Sequence, residues 1–369
     1  MHVLVTTDTV GGVWTYTREL VSGLARRGVR VTLVSFGSIP EPRQMTWMEG
    51  LRNLEFLPTA FKLEWMQESA DDVRASLDCL SSVVQEKRPD LLHLNQFCYG
   101  ALEVDVPKIV VAHSDVLSWW AVVHGDPPPD AGWIRWYRQT VQRGLDGATM
   151  VVSPSRWMLH QLEKYYGPRQ HSTVIYNGRS PQLFNPHGEK EEFVLSVGRL
   201  WDAAKQTSLL TEADCGLRVV IAGSTEHPDE TYRRDVGLSF GAGLFEKRGS
   251  QTPEQLRVLY SSAAIYAATS RYEPFGLAPL EAALSRCAIV ANDLPSFHEI
   301  WGGTATYFRT NNAESLRETL RQLHENRDLR RHHAELSYLR ARRMFTADRM
   351  VDETMTLFQD LVSVRTLAA

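Results

Sequence analysis

The chain has 369 residues, enough at roughly 150 per domain for two domains that each bury a core, which excludes a small scaffold dependent on staples. With 43% apolar and 23% charged residues it is neither disordered nor fibrous. Lys plus Arg at 40 against Asp plus Glu at 44 gives a net charge of −4, which excludes nucleic-acid binding through a broad basic surface and favours small-molecule chemistry.

From the N-terminus, short apolar β-branched runs alternate with helical patterns. Residues 2–6 read as a strand, 14–27 as a helix and 29–35 as the next strand; 91–94, 108–113 and 150–153 continue the series. Continuously apolar strands separated by helices predict a parallel sheet covered on both faces. This predicts an N-terminal Rossmann-like domain over residues 1–180. The stretch from Asn177 to Glu192 is rich in turn formers and charges, so a linker is expected at 181–192. The alternation restarts at 193–197, 218–222, 264–269 and 288–292, giving a second Rossmann-like domain over 193–345. A helix over 346–369 is expected to pack back on the first domain. Arg327, Arg330, Arg331, Arg340, Arg342 and Arg343 in the helical tail read as a solvated face rather than a phosphate site. The expected fold class is α/β, two Rossmann-like doubly wound domains facing across a cleft, with ligands outside the carboxyl ends of the strands.

Cys79, Cys98, Cys215 and Cys287 show no C-x-x-C spacing, which suits neither a zinc site nor a disulfide framework and predicts a reducing, cytoplasmic setting. The opening Met-His-Val-Leu-Val-Thr-Thr-Asp lacks a charged segment ahead of an apolar stretch. No run approaches the roughly 18 apolar residues of a spanning helix. Neither export by a signal peptide nor membrane insertion is expected.

The strongest motif is Ser270-Arg-Tyr-Glu273-Pro-Phe275-Gly276-Leu277-Ala-Pro279-Leu-Glu281, after an apolar strand. Pro279 is favoured in the first turn of a helix, so the amides of Phe275, Gly276 and Leu277 are expected at a helix N-terminus that favours an anion. Alone, Glu281 reads as a first-turn carboxylate complementing the dipole, and Glu273 as a loop residue. A second strand end, Ser196-Val-Gly198-Arg199-Leu-Trp-Asp-Ala-Ala-Lys205-Gln206, carries two cations that could offset a diphosphate. Asp8-Thr-Val-Gly11-Gly12-Val-Trp14 follows the first strand; it lacks a full G-x-G-x-x-G pattern, but paired glycines permit close backbone approach. His113 and His93 each end a strand, where a hydrogen-bonded structural histidine is the plain reading.

Glu273 and Glu281, eight apart in Glu-Pro-Phe-Gly-Leu-x-x-x-Glu, resemble the E-x7-E signature of retaining glycosyltransferases of the GT-B fold, family 4. The resemblance implies that Glu273 and the amides of Phe275, Gly276 and Leu277 hold the donor sugar and that Glu281 bonds the nucleotide ribose. It likewise implies that Arg199 and Lys205, beside Gly198, clamp the diphosphate, that Gly11 and Gly12 face donor phosphates and acceptor, and that His113 contacts a donor hydroxyl. The resemblance spans nearly the whole chain, including Val174-Ile-Tyr-Asn177-Gly178. The family's usual Lys-Gly reads Lys205-Gln206 here, its Asn-Gly-x-Asp reads Asn177-Gly178-Arg179-Ser180, and its Cys-Gly reads Arg286-Cys287.

The expected reaction is transfer of a hexose from a nucleotide-sugar donor, UDP by family frequency, to a hydroxyl acceptor with retention. No Asp-x-Asp occurs in the sequence, and the cations can replace a divalent metal, so no metal or other cofactor is expected. The acceptor is a sugar, a lipid or another small molecule. Eight of the ten tryptophans precede residue 160, and Trp119-Trp120-Ala-Val-Val-His124-Gly-Asp-Pro-Pro-Pro129 is the segment assigned to an acceptor-facing loop, a surface also open to peripheral membrane contact. The Phe245-Glu-Lys-Arg-Gly249 stretch is assigned to a base-facing loop. Two other readings share the architecture: a nucleotide-sugar epimerase, which leaves the nucleotide-sugar intact, and a non-catalytic nucleotide-sugar-binding subunit.

Overall fold

The structure is a computed structural model that describes residues 1–227 and 244–368, with side chains through residue 364. The chain forms two compact units, Met1–Gly178 with Ala347–Ala369, and Arg179–Thr346.

The first unit holds a seven-stranded sheet: β1 (His2–Asp8), β2 (Arg30–Phe36), β3 (Leu54–Pro58), β4 (Leu91–Leu94), β5 (Lys108–Val111), β6 (Met150–Ser153) and β7 (Ser172–Val174), in the order β3-β2-β1-β4-β5-β6-β7. Every pairing is parallel. Its helices are α1 (Gly12–Arg26), α2 (Pro42–Met45), α3 (Ala70–Lys87), α4 (Val116–His124), α5 (Gly132–Asp146), α6 (Arg156–Tyr166) and, from the far end of the chain, α13 (Ala347–Ala368).

All of β1 is buried, and its side chains alternate between two cores, as strand geometry requires. Leu4 joins Leu92, Val110 and Phe97 on one face. Val3 and Val5 join Leu20, Leu24 and Phe358 on the other, so α1 and α13 cover that face. An exposed ion pair, Arg27 Nη2 to Asp352 Oδ1 at 2.6 Å, also joins α1 to α13.

The second unit holds β8 (Glu191–Val197), β9 (Arg218–Ala222), β10 (Phe245–Gly249), β11 (Ala263–Ala268), β12 (Ala288–Asn292) and β13 (Thr306–Phe308), ordered β10-β9-β8-β11-β12-β13 and all parallel. Its described helices are α7 (Ser208–Ala213), α8 (Pro253–Ser262), α9 (Leu277–Leu284), α10 (Pro295–Trp301), α11 (Ala313–Glu325) and α12 (Arg327–Met344). Val194, Ile221, Ile265, Val290, Leu316 and Leu320 lie in its main core. Residues 181–192 belong to this unit; they form a 3-10 turn at Pro181–Leu183 and lead into β8.

Both sheets run outward from their first strand and then reverse, so each has a switch point between its first and fourth strands, where open α/β sheets bind ligands. One expected loop is regular structure instead, and the other, Trp119–Pro129, is helical only through His124. Phe245–Gly249 is the edge strand β10, whose charged Glu246, Lys247 and Arg248 suit an exposed edge. Trp119 and Trp120 lie within α4, capped by the Asp115 carboxylate, which accepts from Ser118 N at 2.7 Å. Among the described residues no helix is long and apolar enough to cross a membrane.

Candidate functional site

At the second unit's switch point, β8 ends at Val197, Gly198 follows it, and the chain returns through a 3-10 turn, Ala203–Lys205. The Lys205 stem crosses Gly198 so closely that a Cβ there would lie 3.4 Å from its Cδ. The neighbouring strand β11 runs into the Glu273 loop, and two hydrogen bonds join the two loops. Thr269 Oγ1 donates to Lys205 O at 2.8 Å and Arg271 N donates to Ala204 O at 2.8 Å. The consequence is a charged centre: Lys205 Nζ donates to Glu273 Oε2 at 2.6 Å, and Ser270 Oγ donates to the same oxygen at 3.0 Å.

The Glu273 loop passes into α9 through Gly276, whose φ of +93° is a conformation that side-chain-bearing residues rarely adopt. A Cβ there would also press on Pro279 at 3.2 Å and Glu273 at 3.3 Å. Leu277 opens the helix and Pro279 sits in its first turn, where a missing N–H costs nothing. Phe275 is buried edge-on to Phe345, with ring centroids 5.5 Å apart, which anchors the loop. Gly198, Lys205, Glu273, Phe275, Gly276 and Leu277 are thus gathered at one strand-end site. Arg199 is tied to its own turn: Nη2 donates to Asp202 Oδ2 at 2.8 Å, and the guanidinium lies 5.1 Å from the Trp201 ring centroid.

Glu281 departs from expectation. With α9 starting at Leu277, it falls in the second turn, beyond reach of the first-turn amides. Its Oε1 instead lies 2.8 Å from Arg179 Nε, with both side chains nearly buried. Arg179 in turn lies over the Phe184 ring, at 5.4 Å. The Tyr260 hydroxyl is pushed well up by burial first and by the adjacent Glu281 carboxylate second. Arg179, Ser270 and Thr269 were missed by sequence reasoning. The one available signal was an isolated cation in Asn177-Gly178-Arg179-Ser180.

In the first unit, Gly11 caps α1 at φ +64° and Gly12 is its first residue; Val10 N donates to Asp8 Oδ1 at 2.8 Å, tightening the turn ahead of them. His113 follows β5 and holds Asn95 Oδ1 at 2.8 Å through Nε2, its ring edge-on to Tyr16 at 4.6 Å. Asn95 Nδ2 donates to Thr6 O at 2.7 Å, which fixes the amide and makes His113 Nε2 the donor. Burial lowers His113 to about 3, so its ring is neutral at pH 7. His93 is also held to about 3, by burial and then by the charge of His113, and lies 3.1 Å from the Tyr16 hydroxyl. Among the described residues no group of three or more His, Cys, Asp or Glu could hold a metal ion.

The Glycosyltransferase Family 4 model matches residues 10–183, and the Glycosyl transferases group 1 model matches residues 182–340. O-antigen chain mannosyltransferase C of Escherichia coli is 23% identical over 385 aligned residues, covering 96% of each chain. O-antigen chain mannosyltransferase RfbU of Salmonella typhimurium is 26% identical, over 52% of this chain and only 55% of that protein. Sucrose-phosphate synthase of Thermosynechococcus elongatus superposes with a TM-score of 0.83 at 17% identity, covering 99% of this chain and all of that one. Anabaena HepE in complex with UDP-glucose superposes with a TM-score of 0.71 at 15% identity, covering 96% and 99%. At these identities the structural neighbours establish the fold.

Proposed function

The chain belongs to the group 1 glycosyltransferases, on the GT-B fold, and we propose that it is a retaining, metal-independent hexosyltransferase using a nucleoside diphosphate sugar. The observation that carries this reading is the 2.6 Å contact between Lys205 and Glu273 beside the start of α9. A cation from the loop after β8, beside a carboxylate and helix-start amides from the loop after β11, suits a diphosphate joined to a sugar. The UDP-glucose complex of HepE supports the same class of donor.

In this reading the bond between the anomeric carbon and the diphosphate oxygen breaks, and negative charge gathers on the leaving group. Lys205, Arg199 and the amides of Phe275, Gly276 and Leu277 stabilise that charge, the task a divalent metal performs elsewhere. The acceptor hydroxyl oxygen bonds to the anomeric carbon on the same face, and its proton passes to the departing phosphate. No protein nucleophile is required. Glu273 orients the sugar, and Glu281, held by Arg179, bonds the ribose. His113, neutral at pH 7, suits a hydrogen bond to a sugar hydroxyl better than proton transfer.

The test is a thermal-shift panel of UDP-, GDP- and ADP-sugars, followed by assay of nucleoside diphosphate release with candidate acceptors. A ligand at 100 times its Kd adds about 2.7 kcal/mol to the folded state. Stabilisation by one donor, with release of its diphosphate and a product of retained anomeric configuration, is the expected result. An intact but epimerised nucleotide-sugar, or binding without turnover across the acceptor panel, contradicts it.

A further inference from the structure

We propose that Gln206 is a positioning residue that holds Lys205 in register with Glu273, an inference that rests on the donor-site reading above. Gln206 follows Lys205 directly and has φ +47°, a left-handed conformation that a glycine adopts without strain. Asn311, in the loop after β13, is left-handed too, at φ +54°. The two side chains meet. With the Gln206 amide turned to match donor to acceptor, Nε2 lies 2.7 Å from Asn311 Oδ1 and 3.3 Å from Thr269 O, while Oε1 lies 3.0 Å from Arg271 Nη2.

Asn311 is itself seated on Asn292, the wholly buried last residue of β12. Asn292 Nδ2 donates to Asn311 Oδ1 at 2.9 Å and to Ser270 O at 3.1 Å, and its Oδ1 accepts from Asn311 N at 3.0 Å. Ser270 then donates to Glu273. One amide network therefore fixes both sides of the charged centre: Gln206 beside the cation, and Ser270 beside the carboxylate. Non-glycine residues in left-handed conformations persist where surrounding contacts over-determine them, and they cluster at functional sites. Here the contacts are the side-chain amide hydrogen bonds that a glycine could not make.

Gln206→Gly and Asn311→Gly relieve backbone strain and remove the staple from opposite ends, 105 positions apart in the chain. Two readouts apply: calorimetric affinities for UDP, GDP and ADP against the matching monophosphates, and hydrogen exchange of the Arg271 amide without nucleotide. Each single variant is expected to weaken diphosphate binding about fivefold with monophosphate binding unchanged, and to speed Arg271 exchange. The double variant should lose less than the sum of the two single losses, because both remove the Gln206–Asn311 contact. Unchanged Arg271 exchange, an unchanged diphosphate-to-monophosphate ratio, or additive losses overturn the proposal. Should the wild type bind none of the nucleotides, the donor-site reading falls, and Arg271 exchange alone then decides whether the staple exists.

Discussion

Arg179 Nε stands 2.8 Å from Glu281 Oε1, a nearly buried ion pair between residues 102 positions apart. Removing one partner of such a pair leaves an uncompensated charge, which costs about 3–5 kcal/mol. Arg179→Met is therefore expected to lower the melting temperature sharply, and Arg179→Met combined with Glu281→Leu to recover most of it. If Glu281 bonds the ribose, the double variant stays weak for nucleotide despite its recovered stability. Wild-type nucleotide affinity in the double variant, read by calorimetry, contradicts that role.

Glu273→Gln keeps the size of the side chain and removes the charge that Lys205 and Ser270 address. Lys205→Ala removes the cation that pairs with Glu273. On the scale of other preorganised electrostatic contacts, each should lower kcat by about 100-fold. Thermal melts within a few degrees of wild type would show that the loss is chemical. Normal turnover in both variants contradicts the assignment.

Chelation provides a third prediction. With Lys205, Arg199 and the α9 amides stabilising the leaving group, transfer should continue at an unchanged rate in excess EDTA. A loss of activity that returns with Mg2+ or Mn2+ contradicts metal independence.

The paired histidines predict a pH dependence of stability. Both are held to about 3 in the folded protein, chiefly by burial, against about 6.5 in an unfolded chain. Above pH 6.5 they are neutral in both states and contribute nothing. As pH falls from 6.5 toward 3, the unfolded chain takes up protons the folded one refuses, so stability declines by about 1.4 kcal/mol per pH unit for each histidine. Glu64 and Asp115, raised by burial, act in the opposite sense, since acid relieves the cost of keeping their charges buried. Comparing wild type with His93→Gln isolates the histidine contribution. The variant should lose less stability between pH 6.5 and 5, and identical slopes contradict the burial argument.

The parallel sheets were legible because their strands are continuously apolar, and the loops carrying Lys205 and Glu273 because they follow those strands directly. Register inside α9 was not. Pro279 suggested the helix start, but the left-handed Gly276 sets it at Leu277 and moves Glu281 to the second turn. Phe245–Gly249, assigned to a base-facing loop, is instead the edge strand β10, where a sheet tolerates the charge of Glu246, Lys247 and Arg248. Arg179 and Asn311 were hidden for another reason: their partners lie far away in sequence, and no local period encodes a contact made only by the folded chain.

A crystal structure of the protein with a bound nucleoside diphosphate tests the central assignment most directly. The β-phosphate is expected at the start of α9, with Lys205 Nζ about 3 Å from one of its oxygens and the ribose hydroxyls on Glu281. A diphosphate bound elsewhere, with Lys205 still on Glu273 and the α9 amides facing away from it, would contradict the account.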